Sequence, residues 1–83
     1  MIHREEEKRR GFRAQQLLED DLFIEAFTKT REELLNAWED SPARDVEARE
    51  AIYLSLKMLD KVKACIQEII ETGQLARGTL EER

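Results

Sequence analysis

The stretch AIYLSLKMLDKVKACIQEII, residues 51–70, carries more apolar surface than a helix docked on one neighbour can bury. On a helix turning ~100° per residue, Ile52, Leu56, Leu59, Ile66 and Ile70 form one stripe at i, i+4, i+7 spacing. Ala51, Val62 and Ile69 flank that stripe, and Leu54, Met58 and Cys65 carry the apolar surface further round. The arc reaches roughly 180–200°, against the ~100° that a single partner needs. Only Ser55 and Lys63 interrupt it, while Lys57, Lys61, Glu68 and Glu71 hold the polar side. A chain with such a segment must cover it from two directions.

Few sources of cover exist within 83 residues. Upstream, Phe23, Ile24, Phe27, Thr30, Leu34, Leu35, Ala37 and Trp38 gather on one side of a second amphipathic helix, with Glu25, Lys29, Glu32, Glu33 and Asn36 opposite. This helix is expected from about Asp20 or Asp21 to Glu39, with a short piece, Phe12–Leu18, leading into it. Glu19, Asp20 and Asp21 suit a helix N-terminus, and one continuous helix through them is the competing reading. Pro42 in EDSPARD breaks the pattern. Asp45 reads as the N-cap of the next helix; Ser41 as cap with Pro42 in the first turn is the alternative register. The helix that follows is expected from Val46 to about Thr72, ~40 Å long, closed by Gly73 at C′.

The fold class predicted is all-α: an antiparallel helical hairpin with a short N-terminal helix. Residues 1–12 read as a charged arm, mobile alone and able to form a helical turn when docked, 13–75 as the hairpin oligomerisation domain and 76–83 as a tail that is either disordered or a last turn. Two helices cannot bury both broad arcs. A lone hairpin also buries too little area, at ~25 cal/mol/Å², to offset ~1.5 kcal/mol of ordering entropy per residue. Self-association into a four-helix bundle dimer or a larger ring supplies the missing surface. The interface residues expected are Phe23, Phe27, Leu34, Trp38, Leu54, Met58, Val62, Cys65 and Ile69. The alternative is that the short N-terminal helix folds back over the surplus.

No residue cluster carries a reaction, and the reading is of a protein that is not an enzyme. Cys65 is the only cysteine and sits in an apolar pattern, where it packs as a small core residue; the only histidine, His3, lies far from it. Glu47 and Glu50 have the spacing of a di-iron motif but lack its histidine, and Glu39, Asp40 and Asp45 lack the pattern of a calcium loop. The three glycines are isolated, so no phosphate loop exists. No cofactor and no metal are expected. Trp38 reads as a core anchor and Tyr53 as an edge residue with a wet hydroxyl. Arg31 and Lys63 either extend their stems out to water or pair with acids across the helix contact.

Charged residues make up 40% of the chain and the net charge is −5, which favours a protein partner over broad contact with nucleic acid. The N-terminal run reverses the sign: Arg4, Lys8, Arg9, Arg10 and Arg13 face only Glu5, Glu6 and Glu7. Lys8, Arg9, Arg10 and Arg13 are thus the candidates for weak, non-specific nucleic-acid contact. No apolar run is long enough to span a membrane and no signal-like start is present, so a cytoplasmic protein is expected.

The segments RAQQLLEDDLFIEAF, LLNAWEDSPARDVEAREAIY and IIETGQLA are similar to small helical proteins of tailed bacteriophages, prophages and gene transfer agents. In those proteins a leucine pair and acidic residues precede a Phe-containing helix, a Trp ends it, a Pro/Asp loop follows, and a second helix closes at Gly. The resemblance covers about residues 13–76. Some members resemble the oligomerisation core of small terminase subunits, which form rings and help a packaging motor engage viral DNA. The resemblance implies a phage-type assembly role linked to DNA packaging, in a bacterial host cytoplasm or the virion. The fuller pattern includes a helix-turn-helix domain, which this chain does not show before residue 13. A small acidic adaptor or inhibitor that binds a host protein, as in counter-defence, is the second expectation.

Overall fold

The computed structural model describes residues 4–81, which form three helices: α1 (Arg4–Glu19), α2 (Asp21–Asp40) and α3 (Val46–Glu81). All described residues outside the Asp20 break and the 41–45 connection are helical. α1 opens with Glu5, Glu6 and Glu7 in its first turn, where carboxylates meet the positive end of the helix dipole. The chain breaks at Asp20, whose backbone is extended and whose carboxylate accepts from Leu22 N at 2.9 Å and Phe23 N at 3.0 Å. Asp20 therefore caps α2, and residues 12–39 belong to two helices.

Ser41 ends α2: its N–H donates to Trp38 O at 3.2 Å and its hydroxyl to the same oxygen at 2.6 Å. A turn closes when Asp45 N donates to Pro42 O at 2.9 Å, and Asp45 Oδ1 then accepts from Ala48 N at 3.2 Å. Asp45 is the cap of α3, so the register with Pro42 inside the helix does not occur.

α1 and α2 together run back along α3. Gly11 lies against Gly73, Arg31 against Asp60, and Trp38 against Arg49, so the pairings run in opposite order along the two sides. The Cα frame measures 60 × 26 × 17 Å, a thin slab two helices wide. α1 extends the line of α2 along α3 and does not form a third layer.

Two boundary expectations are corrected. α3 does not close at Gly73; it continues through Gly73 and Gly78 to Glu81, and neither glycine adopts positive φ. Gly73 serves close approach. A Cβ on it would stand 2.8 Å from Gly11 Cα and 2.9 Å from Glu7 O. The expected arm and tail are also helical where described: residues 4–12 belong to α1, and Ala76, placed in the tail by sequence, is 3% exposed. Residues 1–3 and 82–83 of those expected segments lie outside the described residues.

The interior is small. Among the described residues the buried apolar ones are Ala14, Ile70 and Ala76, and no large side chain is fully buried. The surface is 6781 Å², about 1,600 Å² more than the ~5,200 Å² that a compact 9.8 kDa monomer exposes.

Candidate functional site

α3 carries two stripes. The inner one, Ile52, Leu56, Leu59, Lys63, Ile66, Ile70, Gly73 and Arg77, alternates steps of four and three, the spacing of a helix seam. Apart from Lys63 its members are buried or half-buried. The outer stripe is Leu54, Met58, Val62, Cys65, Ile69, Thr72 and Ala76. From residue 62 onward it runs one position ahead of the inner stripe, which rotates it by ~100°. A helix at the corner of a four-helix bundle has two neighbours at about that angle.

The two ends of the outer stripe differ in cover. Ile69 is half-buried and Ala76 buried, whereas Leu54 (53% exposed), Met58 (65%), Val62 (47%) and Cys65 face solvent in the single chain. The open part joins a second patch on α1. Leu17 shares a shallow groove with Ile69, Arg10 and Arg13, and Arg10 and Ile69 share the next groove with Cys65 and Glu68. One apolar line thus runs from Leu17 through Ile69 and Cys65 to Leu54.

The opposite side of the slab holds a cleft of about 320 Å³ between α2 and α3. Phe23 and Phe27, with ring centroids 4.6 Å apart, line it with Ile24 and Leu59. Arg31 bridges it to Asp60 at 2.8 Å, so of the two readings for this residue the ion pair is the one formed. Lys63 Nζ lies 5.9 Å from the Phe27 ring. At the turn, the Arg49 guanidinium stacks 3.8 Å from the Trp38 ring and donates to Ser41 Oγ at 3.0 Å, with Ser41 O at 3.4 Å and Trp38 O at 3.5 Å. α2 has no basic residue in its last turn, and α3 supplies the cation for its negative end.

The sequence-predicted residues therefore divide. Leu54, Met58, Val62, Cys65 and Ile69 fall on one line, while Phe23, Phe27, Leu34 and Trp38 are half-buried on α2 and do not join that line. The four basic candidates do not share one face: Lys8 lines a groove with Gly11, Phe12 and Gln74, and Arg10 and Arg13 line the groove with Leu17 and Ile69. Sequence reasoning missed Leu17 and the Gly11–Gly73 contact. The repeated small pairs Gly11/Ala14 and Gly73/Ala76, each at i, i+3, were the signal available for the second.

Among the described residues no group of three or more His, Cys, Asp or Glu side chains could hold a metal ion, and no helix is long and apolar enough to cross a membrane. No protein-family model, curated protein or solved structure matches the chain. The likeness to phage helical proteins thus stands on the sequence pattern alone.

Proposed function

We propose that this chain is a non-enzymatic self-assembling protein, an antiparallel helical hairpin whose outer α3 stripe is covered by a second copy in a four-helix bundle or a larger ring. The observation that carries this reading is the exposed line Leu54, Met58, Val62 and Cys65 on a chain that fully buries no large side chain among its described residues. Such a line is an interaction surface on general grounds. The excess surface of about 1,600 Å² is also ample for a standard interface, which takes ~800 Å² from each partner. A phage packaging ring, the setting implied by the resemblance, would use such an assembly, but self-association is inferred from the stripe and not from that likeness.

Light scattering on a sizing column across a concentration series tests the reading. The expected mass is two chains or more, falling to one chain in the double variant Met58→Glu, Val62→Glu. A cooperatively folded single chain at tens of micromolar refutes it and turns attention to a different protein partner for the same stripe.

A further inference from the structure

If self-association holds, the direction of docking follows from charge and from the levels at which the helices pair. We infer that two copies stack face to face about a two-fold axis parallel to their length, so that α3 of each lies against α2 of the other and both 41–45 turns sit at the same end.

The rival arrangement packs α3 on α3 antiparallel, with the turns at opposite ends. Its charges oppose it. The outer flank of the exposed stripe carries Glu50, Lys57, Lys61 and Glu68 in that order. This order is symmetric about residue 59, and the exposed line from Leu54 to Cys65 is centred at nearly the same point. An antiparallel pair centred there sets Lys57 against Lys61 of the other copy and Glu50 against Glu68 of the other copy. Like charges meet in every flanking position, which destabilises the pairing.

α2 offers a better counter-surface. On its side away from the Ile24–Arg31 cleft it presents Ala26, Thr30 and Ala37, with Glu33 and Leu22 (74% exposed) toward its outer edge. Rotation about the long axis keeps each residue at its own level. The levels are fixed within one chain by Gly11 beside Gly73, Arg31 beside Asp60 and Trp38 beside Arg49. They place Leu54 level with the stretch 30–37, Met58 with 26–33 and Val62 with 22–29. The large residues of α3 then meet Ala37, Thr30 and Ala26 of the other copy, a large-on-small fit, and Leu22 comes level with Cys65. The flanks carry attractions that the rival lacks: Lys57 comes level with Glu32 and Glu33 of the other copy, and Lys61 with Glu25. Against these stand Lys29 beside Lys61 and like charges at the two ends, where Glu50 comes level with Glu39 and Asp40, and Glu68 with Glu19 and Asp21. The isologous symmetry makes every such contact twice.

The two arrangements differ in one distance. A spin label on Ala43→Cys in a Cys65→Ser background marks the turn, which lies away from the stripe. With the turns at one end, double electron–electron resonance on the full chain reads about 15–25 Å between copies, set by interaxial distances of ~8–10 Å and the label arms. Opposite ends, with the pair centred near residue 59, put the labels about 50 Å apart, since residue 43 stands about 16 residues from that centre in each copy at ~1.5 Å per residue. A distance of about 50 Å overturns the inference while leaving self-association intact. A single-chain mass with no intermolecular distance overturns both.

Discussion

Gly73 and Gly78 sit in the same helix, and replacing each by alanine should move stability in opposite directions. The intrinsic term is shared: alanine is favoured over glycine inside a helix by ~0.8–1.0 kcal/mol. Gly78 has open space where its Cβ would stand, so Gly78→Ala should gain most of that amount, about 0.5–1 kcal/mol near the end of α3. At Gly73 the new methyl would stand 2.8 Å from Gly11 Cα and 2.9 Å from Glu7 O. Both atoms are backbone, so no rotamer change relieves the clash and α1 must move outward. Overpacking of this kind costs ~1–3 kcal/mol, and with two sub-contact distances we take the upper half of the range. The net loss for Gly73→Ala is then about 1–2 kcal/mol after the helix gain. A domain of this size shifts by ~4–8 °C per kcal/mol, so Tm should fall by about 5–15 °C for Gly73→Ala and rise by about 2–8 °C for Gly78→Ala. Thermal unfolding followed by far-ultraviolet circular dichroism, at one fixed protein concentration because association adds its own dependence, reads both. If Gly73→Ala is as stabilising as Gly78→Ala, the two helices do not touch through their backbones at that level.

Arg49→Ala should destabilise by about 1–2 kcal/mol, because it removes both the stack on Trp38 and the cation at the end of α2, and Arg49→Lys should recover less than half, since an ammonium cannot stack and fork at once; urea melts of the three proteins measure this. Asp20→Ala should cost ~1 kcal/mol by leaving Leu22 N and Phe23 N without their acceptor, with Asp20→Asn restoring most of it in the same melts. The Arg31–Asp60 pair is half-exposed at both partners, so a double-mutant cycle to alanine should return a coupling of no more than ~1 kcal/mol that shrinks with added salt.

Local chemistry made the α2 start and the α3 start legible. Asp20 and Asp45 are carboxylates placed where a helix has unpaired N–H groups, and they cap within three residues of themselves. Gly73 was misread for the opposite reason. A glycine near the end of an apolar pattern resembles a C′ residue, yet its role is set by Gly11, far away in sequence, and the residues after it continue the helix. The outer α3 stripe was visible as spacing, but its division into a covered and an open part depends on where α1 lies. Likewise Phe23, Phe27, Leu34 and Trp38 are apolar enough for either side of a helix. Nothing in their own spacing says that Phe27 meets Lys63 and Trp38 meets Arg49 of the same chain. Arg49 was unreadable as a cap because it serves a helix other than its own.

The turn held by Arg49 and the glycine contact at the far end have different histories during folding. Trp38 and Arg49 close a short loop, so their meeting sacrifices little chain entropy and can come early. Each later pairing, Arg31 with Asp60 and finally Gly11 with Gly73, closes a loop already shortened by the one before it. Order of closing and strength of holding therefore run in opposite directions along the molecule. The buried apolar residues Ala14, Ile70 and Ala76 all lie where α1 meets α3, while α2 buries none. Amide exchange should accordingly be graded, with α2 opening below the free energy that protects the middle of α1 and the stretch of α3 around Gly73.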